Sequence, residues 1–439
     1  MRKVSIGAAV LMWAILAAQG AQAGRMPAQE VLRSWYGLVL KLVRHTPTYS
    51  PPVASRAFAY LGVTAFEAGV PGSADLKSLA SQLNGLNPTP PREAGRAYDE
   101  AIVVDAAMSD AAQRFFENTG PTGQRAIAAM EAKLSHELAA DIPADVAERS
   151  KAYGKAVAAH VRLWSSSDGG NVVENMGFPL QYARNSSPTL DAGRWVPTSL
   201  AQQQQKPLLP VWGGNRPFAM PRGAACDLPP PPAYSEDKSS AFYKQAMEVA
   251  EVRKTLTSEQ VAIARFWSDD PMLSPTPPGH WISIALQLLD REHADLGRTA
   301  DVLARVGIAE ADAFIGCWHT KYEYDTLRPV TYIRKLIDPG FEPLLITPPF
   351  PEYPSGHSTQ SGAAAAVLTR LFGDNFAFDD TTHTADGLPG RKFASFWAAA
   401  EEAAISRLYG GIHFRAAVER GLTQGKCIGA YTNALRTRR

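Results

Sequence analysis

The sequence predicts an all-α protein made of two packed helical bundles. Three observations carry that expectation. Apolar residues recur three and four positions apart, with frequent alanine, over residues 25–160 and again from residue 234 to the C-terminus. No segment has convincing strand alternation, and there is no exact internal repeat. Between the two helical halves, residues 165–232 are dominated by Gly, Pro, Asn, Gln and Ser and end in four consecutive prolines. Composition agrees with a globular chain. With 439 residues, 45% hydrophobic and 20% charged, it is not a disordered, collagen-like or multispanning protein. Lysine plus arginine number 44 against 43 acids, so no basic excess draws it to nucleic acid. Three cysteines, Cys226, Cys317 and Cys427, make no disulfide framework and no C-x-x-C pair.

The elements follow in order. Arg2 and Lys3 precede an apolar run of residues 4–18 and then Ala21-Gln22-Ala23, the pattern of a secretory signal peptide over residues 1–23. That run is short of the roughly 20 residues a spanning helix needs, so no stable membrane span is expected. Its removal takes the net charge from +1 to about −1 and puts the mature chain in a secreted or periplasmic setting. One disulfide is possible there, but the sequence does not choose the pair.

Residues 24–226 form the expected N-terminal region. Thr46-Pro47, Pro51-Pro52, residues 87–91 and Gly120-Pro121 cut it into several helices. The connection over about 165–232 carries Trp195, Trp212 and Phe218, so it is expected to pack on the body. The C-terminal region spans 227–439. Thr257-Ser258-Glu259-Gln260 fits a capping box opening a helix that holds Phe266 and Trp267. Further helices are expected over 281–293, 310–327, 355–371 and 393–408, with a last one starting near His413.

Three segments of this half share a chemistry. Lys321 and Arg328 stand seven residues apart, two helical turns, which predicts both cations on one helix face. Pro354-Ser355-Gly356-His357 opens an alanine-rich helix, whose N-terminus offers free amides and the positive dipole end. Ser406-Arg407 is followed by His413 across Tyr409-Gly410-Gly411. Three cations, a helix N-terminus, a hydroxyl and two imidazoles suit a highly charged tetrahedral oxyanion. One histidine can bind or attack the central atom while the other moves protons.

These motifs, K-x6-R-P, P-S-G-H and S-R-x5-H in that order, resemble the vanadium-dependent haloperoxidase and type 2 phosphatidic acid phosphatase superfamily. The resemblance also takes in Trp267-Ser268-Asp269-Asp270 and Pro278-Gly279-His280-Trp281, whereas the first half matches only in helical character and length. It implies two helical bundles of the haloperoxidase and acid phosphatase type. It implies that Lys321, Arg328, Ser355, the Gly356 amide and Arg407 hold equatorial oxygens. It makes His413 the ligand to vanadium, or the nucleophile to phosphorus, and His357 the acid–base partner. Vanadate is then the cofactor, phosphate can occupy the same site, and neither nucleotide nor haem is expected.

The cradle alone does not separate peroxidase from phosphatase. Trp318 and Phe350 flank it, and residues 348–357 resemble the corresponding run of the family's fungal chloroperoxidases, whose pockets have tryptophan and phenylalanine there. That favours oxidation of halide by hydrogen peroxide to hypohalous acid, for use on an organic acceptor. Secreted acid phosphatase action on phosphate monoesters through a phosphohistidine is the alternative. A non-catalytic phosphate- or vanadate-binding protein is the second.

One departure is Ala417, where the family often has an acid four residues after the last histidine. Its absence is expected to weaken a phosphohistidine mechanism unless a backbone carbonyl substitutes. Asp269 or Asp270 is a candidate partner for Lys321 or an arginine. Asp325 is read as a helical ion-pair partner of Lys321, and His280 as either a turn cap or a support for the site. His383 is read as a surface or packing histidine, Asp374, Asp379 and Asp380 as a solvated loop, and Gln202 to Gln205 as low-complexity loop.

Overall fold

The computed structural model describes residues 25–182 and 191–439, so the expected signal peptide lies outside the described residues. Among the described residues, five helices form the first half: α1 (Ala28–Arg44), α2 (Pro51–Gly69), α3 (Glu100–Phe115), α4 (Gly120–Ala139) and α5 (Ala144–Ser165). The prolines expected to cut this region do mark its boundaries, opening α2 at Pro51-Pro52 and α4 at Pro121. The first helical turn has no internal acceptor for its N–H groups, so proline costs nothing there.

From residue 166 to 240 the described chain has only short 3-10 turns. It still belongs to the body, with Trp195, Trp212 and Phe218 buried. Asp312 anchors it by accepting the backbone N–H groups of Phe218, Ala219 and Met220 at 2.6, 2.8 and 2.8 Å. A disulfide between Cys226 and Cys427 ties its end to the last helix and leaves Cys317 buried and free.

The second half holds α6 (Ala241–Thr255), α7 (Ser258–Phe266), α8 (Thr276–Arg291), α9 (Leu296–Tyr324), α10 (Pro329–Leu336), α11 (Gly356–Phe372), α12 (Phe396–Tyr409) and α13 (Arg415–Asn433). The capping box of α7 is present, with Thr257 and Gln260 bonding reciprocally. Helix α9 differs most from expectation, starting at residue 296 and not near 310. Asp295 caps it by accepting from the Arg298 amide, and from Thr299 to Trp318 every residue is buried, so its length is set by packing on both sides and not by a solvent-facing stripe. A two-stranded antiparallel hairpin, β1 (Phe378–Asp380) and β2 (Arg391–Phe393), also escaped the sequence reading, being too short for alternation to register.

Helix α9 runs through the centre. A Cβ on Gly62 of α2 would lie 2.8 Å from the Cα of Ala304 in α9, so the two backbones touch where only glycine fits. One hydrophobic cluster joins Trp35 and Phe58 of the first half to Trp281, Leu303 and Ala364 of the second. Helices α11 and α13 are equally close, since a Cβ on Gly425 would sit 2.1 Å from the Thr359 carbonyl oxygen. That contact fixes the N-terminus of α11, where the cradle motif lies.

Candidate active site

Four segments meet at the N-terminus of α11. The first is the end of α9 with the residues beyond it. Lys321 and Arg328 converge there, but not from one helix face as the spacing predicted. Helix α9 stops at Tyr324 because Asp325 turns left-handed (φ 47°), and Arg328 is extended before Pro329. Nor does Lys321 pair with Asp325 as read from the sequence. Its Nζ donates to the carbonyls of Pro351 and Glu352, both at 2.9 Å, and to that of Pro354. All three ammonium donors are therefore held by the 351–354 segment. Burial, with Arg328 close by, lowers the Lys321 pKa to about 7.

Arg328 is fully buried. Its Nε donates to Phe350 O and its Nη1 to Ile412 O, each at 2.9 Å, while Nη2 has no partner. Arg407, on α12, donates from Nη1 to Trp267 O at 2.7 Å and keeps Nε unpartnered. Ser355 caps α11, its Oγ accepting from the Ser358 amide at 3.3 Å. Gly356 follows as the first residue of that helix, and a Cβ there would come within 3.7 Å of Phe314 and Trp318.

His413 lies in the turn before α13. Its Nε2 is 3.1 Å from Arg328 Nη1, and its Nδ1 is 2.9 Å from Glu352 Oε1. Since Arg328 can only donate, Nε2 is the acceptor and the ring proton sits on Nδ1, donated to Glu352. The same carboxylate oxygen accepts the Phe414 amide at 2.8 Å. Burial, then Arg328, Lys321 and Arg407, hold the His413 pKa well below its ordinary value, so the ring is neutral with its Nε2 lone pair exposed to the cations. Burial raises Glu352 to about 7 against the pull of Arg328 and Lys321. Ala417 thus does not leave His413 unsupported. The acid comes from a different segment, and Ala417 is packed against Leu228 and Tyr353.

His357 faces the same cavity from the first turn of α11. Its Nε2 is buried without a hydrogen-bond partner, and burial with Arg407 nearby keeps its pKa well below the usual range. The cavity has a volume of about 350 Å³. Gly356, His357, Arg407, His413, Trp318 and Phe350 line it, whereas Lys321, Arg328 and Ser355 stand behind that lining. Trp318 and Phe350 pack with ring centroids 4.9 Å apart, and Trp318 Nε1 donates to Leu208 O of the connection.

Several neighbours were misread or missed. Gln202 to Gln205 form a 3-10 turn, and Gln203 and Gln204 reach the cavity. Asp270 and, less strongly, Asp269 are electrostatic partners of Arg407, and neither partners Lys321; the hydrogen bonds of Asp269 go to the imidazoles of His280 and His383. His280 is fully buried between Asp269 and Asp380, and His383 is buried against Asp269. His383 is a packing histidine, its ring against those of Phe266 and His280, and Asp380 does not belong to a solvated loop. Burial of the β1 strand end brings both inward. The only textual signals were Asp380-x-x-His383 and the histidine of Pro278-Gly279-His280, and neither spacing specifies a shared site by itself.

The fold and the oxyanion cradle define a class: helical-bundle proteins that hold a tetrahedral oxyanion beside a neutral histidine. The family model for the VCPO second helical-bundle domain matches residues 301–340 and 337–438. The structure of a bacterial vanadium-dependent iodoperoxidase is 39% identical, with a TM-score of 0.85 over 93% of this chain and 97% of that one. This chain belongs to the vanadium-dependent haloperoxidase family. A vanadium chloroperoxidase of Curvularia inaequalis is 28% identical over a match taking in 42% of either chain, so less than half of that relative is spanned. The holo form of a bacterial vanadium-dependent chloroperoxidase, at 16% identity, shares the fold with a TM-score of 0.69 over 88% of this chain and 92% of that one.

Proposed function

We propose that this chain is a vanadium-dependent haloperoxidase that uses hydrogen peroxide to oxidise halide to hypohalous acid. The observation that carries the reading is a set of buried, unsatisfied groups in the wall of one cavity and directly behind it. Arg328 Nη2, Arg407 Nε and His357 Nε2 lack partners, and His413 presents a lone pair among cations. Buried polar atoms are rarely left so unless a ligand completes them. A tetrahedral oxyanion fits, because the donors are cationic and the α11 N-terminus adds its dipole.

His413 Nε2 would bind the central atom of vanadate, with Arg328, Arg407, the Gly356 amide and the Ser355 hydroxyl holding its oxygens. Lys321 would contribute charge from behind, or release one carbonyl to donate directly. Bound vanadate supplies a Lewis acid that activates peroxide without changing oxidation state. The chain's own groups do the rest. Glu352 fixes the His413 tautomer by accepting from Nδ1. His357, neutral by burial, moves a proton at Nε2, as the reaction of halide, peroxide and one proton to hypohalous acid and water requires. Trp318, Phe350 and Phe314 wall the cavity with apolar surface and limit the hydration of an incoming halide.

The N-terminal leader pattern and the Cys226–Cys427 disulfide support work outside the cytoplasm, in a periplasmic or secreted setting. The deciding measurement uses one purified sample in two assays. Vanadate-loaded protein should oxidise iodide or bromide with peroxide and hydrolyse phosphate monoesters poorly. Hydrolysis inhibited by vanadate, without halide oxidation, would establish a phosphatase instead, and binding without either turnover would establish a carrier.

A further inference from the structure

Beside the cradle lies a second constellation that the proposed reaction does not use. Asp269 Oδ1 is 3.0 Å from His280 Nδ1 and 3.2 Å from His383 Nε2. The three ligand-capable atoms all lie within 4.8 Å of one another and all three residues are buried. We infer that Asp269, His280 and His383 form a binding site for a divalent transition metal of the zinc type, adjoining the oxyanion cradle and sharing none of its anion-binding residues.

Three features point to a metal. First, the donor set is two imidazoles and one carboxylate, which suits zinc and its neighbours, whereas calcium and magnesium prefer oxygen throughout. Second, the spacing fits. Ligands about 2.0–2.1 Å from a tetrahedral ion are separated by roughly 3.3–3.4 Å, within a few tenths of an ångström of the two distances above. Third, each imidazole has a carboxylate on its far nitrogen. His280 Nε2 is 2.8 Å from Asp380 Oδ2, and His383 Nδ1 is 3.4 Å from Asp386 Oδ2. This is the outer arrangement that orients metal-bound histidines and raises their basicity.

The ligands come from three separate pieces: the 267–275 loop, α8 and the segment after β1. Asp269 is held at φ 49°, an uncommon backbone state for a residue with a side chain. An ion there would cross-link these pieces. The site depends on this cluster alone and not on the haloperoxidase reading.

The test uses the full chain, stripped by chelator and kept free of vanadate. Cobalt(II) is titrated as a spectroscopic substitute for zinc. One equivalent per chain should bind with visible ligand-field bands, zinc should displace it, and the melting temperature should rise with metal concentration. X-ray absorption on the wild-type zinc form should show two imidazole nitrogens and at least one carboxylate oxygen. His383→Ala should weaken binding tenfold or more. His319→Ala, in the exposed Asp227, His319 and Glu323 group, should not. Absence of near-stoichiometric binding at sub-millimolar metal, coordination without imidazole, or unchanged affinity in a folded His383→Ala protein would each overturn the proposal. If that variant does not fold, the wild-type absorption spectrum decides. Failure here leaves the vanadate assays unaffected, and their failure leaves this result standing.

Discussion

His413 and His280 are both buried imidazoles, but the regions around them have opposite character. His413 sits among Lys321, Arg328 and Arg407, and its pKa is driven well below the ordinary value by burial and those cations. For His280 burial acts in the same direction, but Asp269 and Asp380 outweigh it and raise the pKa to about 10. The same side chain is thus a neutral lone-pair donor in one place and, in the metal-free chain, an imidazolium in the other. Desolvation is common to both, so the neighbouring charges decide. The hydrogen bonding differs in the same sense. The cradle keeps donors without partners, as a site awaiting an anion must, while both nitrogens of His280 are engaged by carboxylates. His357 stands between the two, its Nε2 3.9 Å from Asp269 Oδ2.

This contrast can be broken by experiment. The largest expected effect is in His413→Ala, which should abolish vanadate-dependent halide oxidation. Retained turnover would show that Nε2 is not the ligand. Arg407→Ala removes one preorganised cationic donor and should lower kcat/KM by on the order of 10²–10³-fold. Parallel measurement of circular dichroism checks that the fold survives.

Glu352→Gln sharpens the comparison further. It keeps the shape but weakens the acceptor for His413 Nδ1, so vanadate affinity should fall by about 10–100-fold in a competition assay. An unchanged affinity would mean that the carboxylate is incidental. The smallest effect concerns stability against pH in the chelator-treated protein. The His280 pKa is raised from 6.5 to about 10 on folding. Its contribution is therefore fully present below about pH 6.5 and lost as pH rises through about 10. The denaturant-derived stability gap between wild type and His280→Asn should accordingly narrow over that range. A gap that widened would show that His280 is buried neutral.

The two regions were not equally legible in the sequence. Most of the cradle could be read, because helix starts carry local signals: Ser355 caps α11, and Pro329 marks where Arg328 must be extended. The expected shared helix face for Lys321 and Arg328 failed because the left-handed turn at Asp325 has no glycine to announce it. Glu352 stood in plain view inside a recognised run, but its link to His413 crosses 61 residues. The acid cluster could not be assembled, since Asp269, His280 and His383 lie on three pieces with no shared period or spacing.

The sequence by itself determined that the chain is helical, that a polar connection divides it, and which residues to group as a candidate oxyanion cradle. Those properties follow from periodicity, capping and side-chain charge, all of which act over a few residues. Tertiary structure alone decided that α9 runs buried through both halves, that Cys226 pairs with Cys427, and that Glu352 supports His413. It also decided that His413 and His357 are held below the ordinary histidine pKa and His280 above it. Those outcomes depend on burial and on charges brought close from distant segments, and a pKa responds to neighbours in space, not to neighbours along the chain.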